Sequence, residues 1–275
     1  MRFFTLNTRL HKWLSLLVGL QLIIWLATGL YFNLMDHHKA RGHEFRAHVH
    51  SDAKMHDFDL FPVSEIKSDA PLEVKLVWVL DYPYYHFVFD KGAHTYQASR
   101  STLFDAVTGA PFNLAPHQAL QIAKASYSGT AAFGKPTLVQ PPFAEDVKQQ
   151  NAMWKVNVED ENNTVIYLDF VTGRVLRHVN DDVRLKDLMM KLHFMDYADT
   201  GGFNHWLIIL FAIATLLLAA SGVTWLVHQY KSGLLRLSWG SKTRILSVTF
   251  AKEQTSADIS VEDNQTLLQG LAKSH

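Results

Sequence analysis

Two long apolar stretches, one near each end of the chain, dominate its pattern of hydrophobic and polar positions. Residues 13–32 and residues 206–227 contain no charged side chain, and tryptophans stand close to both ends of the second stretch. About twenty apolar residues form a helix roughly as long as the hydrocarbon core of a bilayer is thick. Tryptophan rings at the ends of such a segment are typical of the water–lipid boundary. The pattern predicts two transmembrane helices in contact with the lipid bilayer, at residues 13–34 and 203–228.

Basic residues beside the two helices indicate their orientation. Arg2, Arg9 and Lys12 precede the first helix, as in a cleavable signal peptide, but the apolar region is too long and no small-x-small cleavage site follows Phe32. Basic residues also follow the second helix, so the positive-inside rule puts both termini in the cytoplasm. The basic residues within residues 39–46 oppose this orientation, although long translocated loops are largely exempt from the rule. We expect a multi-pass protein of a bacterial inner (cytoplasmic) membrane, with its central domain in the periplasm.

The region between the helices contains one short pattern twice. Residues 105–109 read D-A-V-T-G and residues 169–173 read D-F-V-T-G, each after an apolar run. The Asp or Thr side chain can bond nearby backbone amides and the Gly can adopt a positive φ angle, so the pattern favours a tight turn that closes a hairpin. A catalytic Asp is the alternative interpretation. We infer two copies of one small structural unit.

Each copy combines helical and strand patterns. In the second copy, residues 114–128 are predicted as a helix with Asn113 as its cap, and alternating apolar residues from Trp154 onward predict antiparallel strands. In the first copy, strands are predicted at residues 74–80 and 85–90. A shorter helix is expected before those two strands, around Val63 to Lys67.

Composition excludes several kinds of function. Lys+Arg and Asp+Glu number 26 each, so overall charge gives no argument for nucleic acid as a partner. The absence of cysteine excludes disulfides, thiolate metal sites and cysteine nucleophiles. We find no nucleotide-binding motif and no G-x-S-x-G or H-E-x-x-H hydrolase motif. Histidine is abundant, with 15 residues, and imidazole can ligate a metal or a haem or carry a proton.

Three segments of the chain resemble a known family. Y-L-D-F-V-T-G-R-V-L at residues 167–176 resembles a PepSY domain, while R-L-H-K-W-L-S-L-L-V-G-L-Q at residues 9–21 and L-A-T-G-L at residues 26–30 resemble the first helix of PepSY-associated transmembrane (PepSY-TM) proteins. The family includes haem-binding membrane reductases of the ferric-siderophore-reductase type, and other members described as PepSY regulators or inhibitors of peptidases. Those reductases are typically larger, with four membrane spans. The two spans found here therefore favour a homodimer or a partner reductase subunit.

The resemblance implies a membrane α+β fold, in which two transmembrane helices flank a tandem PepSY-like extracytoplasmic region of helix plus antiparallel sheet. The expected segments are a cytoplasmic N-terminus (1–12), transmembrane helix 1 (13–34), a His-rich tether (35–59), PepSY-like repeat 1 (60–112), PepSY-like repeat 2 (113–180), a membrane-surface helix and loop (181–202), transmembrane helix 2 (203–228) and a cytoplasmic tail (229–275).

Histidines at the helix ends are the candidate cofactor ligands. His11 lies just before the first apolar stretch and His228 just after the second, so two antiparallel helices would set both at one membrane level. Two histidines on facing helices are a recurrent ligand pair for a b-type haem. The L-H at Leu10-His11 also matches the family motif. The alternative is that these histidines only anchor the helix ends at the membrane surface.

At the other end of the helices, residues 191–194 read K-L-H-F and resemble the family's second L-H motif, and His205 opens the second helix. His193 and His205 could ligate a second haem, either with His37 or His38 or across a dimer. Two haems, one near each membrane face, would form an electron path across the bilayer. The stretch at residues 183–195 is expected along the membrane surface, because its leucines form one helical stripe.

Residues 36–59 combine six histidines with carboxylates, a mixture suited to divalent metals. His37 and His38 are candidate metal ligands there, and a solvated, flexible tether is the alternative. For the whole chain, the function expected from the resemblance is haem b-dependent electron transfer to an acceptor such as ferric iron or a siderophore, which would make it a component of a membrane oxidoreductase. The alternative is a non-enzymatic anchored PepSY module that binds or regulates a periplasmic protein.

Overall fold

The computed structural model describes residues 2–47, 58–202, 204–233, 243–250 and 255–262. The chain forms two compact units, which we call the central unit, Leu14–Thr215, and the terminal unit, Met1–Trp13 together with Leu216–His275. The helices are α1 (Arg2–Leu34), α2 (Pro116–Ala125), α3 (Asp181–His193) and α4 (Trp206–Lys231). The strands are β1 (Glu73–Val79), β2 (Tyr82–Lys91), β3 (Ser99–Asp105), β4 (Pro111–Phe112), β5 (Ala132–Phe133), β6 (Thr137–Val139), β7 (Met153–Glu159), β8 (Val165–Asp169), β9 (Val175–Val179), β10 (Thr243–Phe250) and β11 (Thr255–Glu262).

Two helices in the described part of the chain, Arg9–Leu34 and Trp206–Lys231, are long and apolar enough to cross a membrane. α1 begins at Arg2, well before the predicted residue 13, because residues 2–12 contain neither Pro nor Gly to stop a helix. α4 begins at Trp206 and ends at Lys231, a shift of three residues from the prediction. The chain thus has two apolar helices flanking a sheet-rich region, as a membrane α+β fold requires.

The burial of side chains on α1 and α4 is the reverse of that in a water-soluble helix. The polar residues Gln21, Thr28 and Ser221 are buried, with exposed fractions of 6%, 2% and 5%. The apolar Leu16 and Leu26 are 65% and 68% exposed. Apolar side chains pointing outward need an apolar environment, and small or polar residues at helix contacts are typical of membrane helices. The protein is therefore located in a membrane.

The first sheet has the strand order β1-β2-β3-β4, and all its pairs are antiparallel. Leu80 and Asp81 connect β1 to β2 with φ angles of 51° and 63°, the two positive values of a type I′ hairpin turn. The predicted strands at 74–80 and 85–90 agree with β1 and β2. The predicted helix around Val63 to Lys67 is wrong as an α-helix, because only a single 3-10 turn forms at Val63–Glu65.

The second sheet has the order β5-β7-β8-β9, with β6 also pairing with β7. α2 precedes this sheet and α3 follows it. α2 is shorter than the predicted 114–128, and the prediction of Asn113 as its cap is wrong. Ala115 takes that position, and its N–H donates to the side-chain oxygen of Gln118 at 2.9 Å.

Side chains from both sheets and α2 form the main core of the central unit. Leu103 from the first sheet and Val156, Ile166 and Leu168 from the second are 0% exposed. The side of α2 that faces them presents alanines, Ala119 and Ala123, which are also fully buried. Because alanine has a short side chain, α2 can approach the sheet closely.

Both copies of the repeated pattern form the same turn, and the structural interpretation of the pattern is confirmed. Asp105 Oδ1 accepts hydrogen bonds from the N–H groups of residues 107 and 108 at 2.8 and 2.9 Å. Asp169 Oδ1 accepts from the N–H groups of residues 171 and 172 at 3.2 and 2.7 Å. The glycines that end the two turns, Gly109 and Gly173, have φ angles of 73° and 69°. These are Asx turns closed by a left-handed glycine.

Residues 36–47, the first part of the predicted tether, are docked on the second half of the central unit. The N–H of Ala47 donates to the carbonyl of Ser126 at 2.8 Å, and the N–H of Ser128 donates to the carbonyl of Phe45 at 2.9 Å. Gly42 has φ +71°, and a Cβ at this position would overlap the carbonyl oxygen of His178. This part of the segment is therefore ordered by packing. Residues 48–57, including His48, His50 and His56, lie outside the described residues.

The polar C-terminal region contains a β-hairpin that was not predicted from the sequence. β10 and β11 pair antiparallel, with Thr243 opposite Glu262 and Phe250 opposite Thr255. The other residues of the predicted cytoplasmic tail beyond 233 lie outside the described part of the chain. Part of this tail is thus a β-hairpin in the terminal unit.

Candidate functional site

His193, the last residue of α3, is held by α1. Its Nδ1 lies 2.8 Å from Oγ1 of Thr28. The Thr28 hydroxyl has one proton, and it lies 2.7 Å from the carbonyl oxygen of Ile24, which can only accept. Thr28 therefore donates to Ile24 and accepts from the Nδ1–H of His193. In this tautomer Nε2 of His193 carries the lone pair, and no described residue forms a hydrogen bond with it.

Aromatic rings surround His193 in the central unit. Trp25, Phe32 and Phe194 have ring centroids 6.4, 5.5 and 5.2 Å from the imidazole centroid. The indole N–H of Trp25 also donates to the backbone carbonyl of His193 at 2.6 Å. The ring is only partly buried. These contacts fix the imidazole in an apolar environment without covering it.

Buried polar groups of α1 hold the chain on both sides of His193. The side-chain amide of Gln21 donates to the carbonyl of Leu192 at 3.3 Å, and its oxygen accepts from the Tyr197 hydroxyl at 3.2 Å. Gln21, Trp25 and Thr28 were not among the site residues predicted from the sequence. The signal was present, since Gln21 and Thr28 are polar residues seven apart in an otherwise apolar span, a spacing that places them on one helix face.

His205 uses the other ring nitrogen. Its Nε2 lies 3.0 Å from the backbone carbonyl oxygen of Phe194, and a carbonyl can only accept, so this nitrogen carries the proton. The side chain is 9% exposed. His205 therefore ties the start of α4 to the end of α3, and only its Nδ1 retains a lone pair.

His37 and His38 are exposed residues after α1. The His38 ring lies 5.7 Å from the ring of His43. Within residues 2–47, 58–202 and 204–233, no hydrogen bond or ring contact joins His37 or His38 to His193 or His205, and no cluster of three His, Asp or Glu residues has the geometry of a metal site. Metal binding by His37 and His38 stays a prediction.

In the terminal unit, His11 repeats the arrangement of His193. Its Nδ1 lies 2.9 Å from Oγ of Ser221, and that hydroxyl donates to the carbonyl of Leu218 at 2.8 Å. Ser221 therefore accepts from the Nδ1–H of His11, and Nε2 carries the lone pair. Gly222 leaves room for the ring, because a Cβ there would lie 3.2 Å from Cε1 of His11.

His228 lies in the last turn of α4 and is exposed. It follows Ser221 by seven residues, so it lies on the same face of α4, about two turns or 10 Å further along the helix. His11 is thus level with Ser221 and Gly222, and the expectation that His11 and His228 lie at one level needs this correction. The two histidines remain on facing helix surfaces.

The ring nitrogens of His11 and His193 meet the chemical requirement for a metal ligand. Metal-bound histidines usually donate their second ring nitrogen to a neighbouring group, which fixes the tautomer and the ring orientation. His11 and His193 both donate Nδ1–H to a hydroxyl that is itself committed to a backbone carbonyl. The ring nitrogen left with a lone pair, Nε2, is a nitrogen by which imidazole commonly ligates a metal.

Comparison with known proteins identifies a family over most of the chain. The family model described as the PepSY-associated TM region matches residues 2–229. Comparisons with curated proteins and with solved structures found no match.

Proposed function

This chain belongs to the family of the PepSY-associated TM region, and on that premise we propose that it is a b-type haem-binding electron-transfer component. A bound haem would carry one electron at a time. The electrons would reduce an extracytoplasmic acceptor such as ferric iron or a siderophore complex. The protein would work as a homodimer or with a partner reductase subunit, because it has two apolar helices where the reductases of this family typically have four spans. A nucleotide-binding domain would have to come from another chain, because this one has no nucleotide-binding motif.

The observation that carries this proposal is a contact that His11 and His193 share: Nδ1 of each ring lies within hydrogen-bond distance of a hydroxyl that also contacts a backbone carbonyl. In each case a hydroxyl on the facing helix accepts from Nδ1, at 2.9 Å for Ser221 and at 2.8 Å for Thr28. A histidine that only anchors a helix end at the membrane surface needs no such partner in the apolar span. Two independent instances, one near each end of α1, support a common ligand role for the two Nε2 atoms.

The roles of the remaining residues follow from their contacts. Thr28 and Ser221 orient the two imidazoles, and Trp25 and Phe32 pack beside His193 and limit its access to water. Gln21 holds the chain next to His193 in place through Leu192. A ligand held in this way would need little reorganisation when the charge of a bound iron changes.

The second ligand at each end is also part of the proposal. His228 would serve with His11, since it lies on the face of α4 that carries Ser221. His205 would serve with His193 through Nδ1, because its Nε2 donates to the Phe194 carbonyl. A histidine from a second copy of the chain is the alternative in both places.

The proposed location is a bacterial inner membrane, with both helices crossing it, both termini in the cytoplasm and the sheets in the periplasm. The basic residues outside the two apolar helices support this orientation. A green fluorescent protein fused after His275 is expected to fluoresce, and an alkaline phosphatase fused there is expected to be inactive. The opposite result for both fusions would reverse the orientation.

We also propose that the two sheets are tandem PepSY-like repeats. The equivalent Asx turns at Asp105 and Asp169 support this. The second sheet has the expected α-helix before it, whereas the first has a 3-10 turn at Val63–Glu65. The first repeat would then lack the α-helix that precedes the sheet in the second repeat.

The experiment that tests the function is a pyridine-haemochrome assay of the purified chain and of His11→Ala and His228→Ala. His117→Ala is the matched control, because His117 is an exposed residue at the start of α2. We expect b-type haem in the wild type and in His117→Ala, and less haem per chain in the other two variants.

Unchanged haem content in both His11→Ala and His228→Ala would refute the site in the terminal unit. Absence of haem from wild-type protein purified from haem-sufficient cells would refute the whole proposal. The alternative, an anchored PepSY module that binds or regulates a periplasmic protein, predicts that second result.

A further inference from the structure

A large cleft lies in the central unit between the two sheets, and none of the candidate haem ligands lines it. Its volume is about 1070 Å³, slightly above the usual range for ligand pockets. β1, β2 and β3 form one wall, and the end of α2 and the turn at residues 169–175 form the other. We call it the intersheet cleft.

Part of the surface of the intersheet cleft is apolar. Val77 and Val88 of the first sheet face Ile122 of α2 and Val175 of β9 across it. Val88 is 7% exposed, and Val77, Ile122 and Val175 are partly buried. Such a surface gains free energy when an apolar group displaces water from it, by about 25 cal/mol per Å².

Two arginines that line the intersheet cleft, Arg46 and Arg174, have no hydrogen-bond or ion-pair partner for their guanidinium groups among the described residues. Lys75 and Lys91 share one carboxylate, that of Glu73, at 2.7 and 2.6 Å. These two ammonium groups hold the pKa of Glu73 down, at about 2.

The carboxylates that line the intersheet cleft do not neutralise the arginines. Glu73 is bound by the two lysines. Asp169 Oδ1 already accepts three hydrogen bonds, two from backbone N–H groups and one from the hydroxyl of Thr172. Asp81 lies in the exposed turn between β1 and β2. Four cationic side chains, those of Arg46, Lys75, Lys91 and Arg174, line the cleft against these three carboxylates, so the lining carries one excess positive charge.

His86 adds a buried polar atom that lacks a partner. It lines the intersheet cleft, and its Nε2 is buried without a hydrogen-bond partner among the described residues. Burial lowers the pKa of His86, the charges of Lys75 and Arg174 lower it further, and Asp169 and Glu73 oppose this. An unsatisfied buried polar group costs about 1–3 kcal/mol, a cost that is removed if the His86 ring turns to bond a polar ligand in the cleft.

We propose that the intersheet cleft binds an organic anion that carries a carboxylate next to an apolar body. The carboxylate meets Arg174 and Arg46, the apolar body covers the valines, and a polar atom of the ligand reaches His86. The proposal does not depend on haem, since none of these residues lies on α1, α3 or α4.

The test is isothermal titration calorimetry of the full-length protein in phosphatidylcholine nanodiscs with three probes. N-acetyl-L-phenylalanine has both the anion and the apolar body, its amide has the body without the charge, and acetate has the charge without the body. We expect the acid to bind at least about tenfold more tightly than the amide or acetate, the effect of one charge-assisted hydrogen bond or one buried ring.

Two variants locate the binding. Arg174→Gln should weaken binding of the acid at least about tenfold, and His86→Phe should weaken it by about three- to tenfold. Arg100→Gln is the matched control, because Arg100 is an exposed arginine on β3 that lies over the Phe89 ring and outside the cleft. This control should bind like the wild type.

Three results would overturn the proposal. They are the absence of acid binding at millimolar concentration, equal affinity for the acid and its amide, and an affinity for the acid that Arg174→Gln leaves unchanged. His86→Phe provides a check on folding, because removal of an unpartnered polar atom should not destabilise the protein.

Discussion

Two regions of this protein bond a histidine ring to a hydroxyl, but through different ring nitrogens. In the second sheet, His178 Nε2 lies 3.1 Å from Oγ of Ser126, which donates to the carbonyl of Ala123 at 2.8 Å. At the apolar helices, Thr28 and Ser221 make the same bond to their own backbone and accept from Nδ1 of a histidine. The hydroxyl thus fixes which nitrogen keeps the lone pair.

The surroundings of the two kinds of histidine differ accordingly. His178 is 3% exposed, and burial lowers its pKa to about 4, helped by the charges of Arg46 and His43. It is a neutral core residue whose Nε2 is hydrogen-bonded to Ser126. His193 is only partly buried, and its Nε2 has no hydrogen-bond partner among the described residues. The same kind of bond therefore leaves Nε2 hydrogen-bonded at His178 and without a hydrogen-bond partner among the described residues at His193.

The largest effect is expected from His193→Ala. If Nε2 of His193 ligates haem, this variant loses the haem held in the central unit, because no other described group replaces the ligand. The haem content per chain, measured by pyridine haemochrome, should fall by at least about half if two sites exist. His178→Gln should retain the wild-type haem content, and a loss of haem in that variant would erase the distinction between the two regions.

The next effect concerns the stability of the second sheet at low pH. The pKa of His178 is about 4 when folded and about 6.5 when unfolded, so the unfolded chain binds an extra proton between these values. The stability due to neutral His178 is complete above pH 6.5 and falls toward pH 4, by up to about 3 kcal/mol.

The thermal midpoint of the chain in nanodiscs at pH 7 and at pH 5 measures this. The wild type should lose more stability on acidification than His178→Gln does. Some loss should remain in the variant, because burial lowers the pKa of His86 in the same direction. Equal losses in both proteins would show that His178 does not titrate as its burial implies.

Thr28→Val tests whether the Thr28 hydroxyl orients His193, and its expected effect is smaller. The substitution keeps the shape of the side chain but removes the acceptor of Nδ1–H, and loss of such a supporting group typically lowers metal affinity about 10- to 100-fold. Haem affinity should fall in Thr28→Val and be retained in Thr28→Ser. Equal affinities in these two variants would contradict a role for the hydroxyl.

Ser126→Ala makes the corresponding change at His178 and should have the smallest effect. It removes the hydrogen-bond partner of the buried His178 Nε2, which costs about 1–3 kcal/mol. We expect a slightly lower thermal midpoint and unchanged haem content. Ser128→Ala, at an exposed serine nearby, should be neutral in both measurements, and haem loss in Ser126→Ala would indicate that the two regions are coupled.

Much of the architecture could be predicted because it depends on local pattern. Length and lack of charge revealed the two apolar helices, and D-x-V-T-G revealed both turns because Asp and Gly act on the backbone within five residues. The hairpin of β10 and β11 was missed although Ile245, Val248 and Val261 are β-branched strand formers. The polar residues between them hid the alternation.

The site was less predictable, because it depends on contacts between distant parts of the chain. The sequence pointed to His193 and His11, but the partners Thr28 and Ser221 lie on other helices. No local pattern tells that His205 uses Nε2 for a backbone carbonyl. The docking of residues 36–47 was hidden for the same reason, since its hydrogen bonds run to Ser126 and Ser128, in the segment that follows α2.

The most direct test of the central claim is the absorption spectrum of the chain purified from haem-sufficient cells, recorded oxidised and after reduction with dithionite. We predict a Soret band that shifts on reduction together with the α-band of a b-type haem, and the loss of both in the double variant His11→Ala, His193→Ala. A spectrum without a reducible Soret band, or an unchanged spectrum in the double variant, would contradict the account.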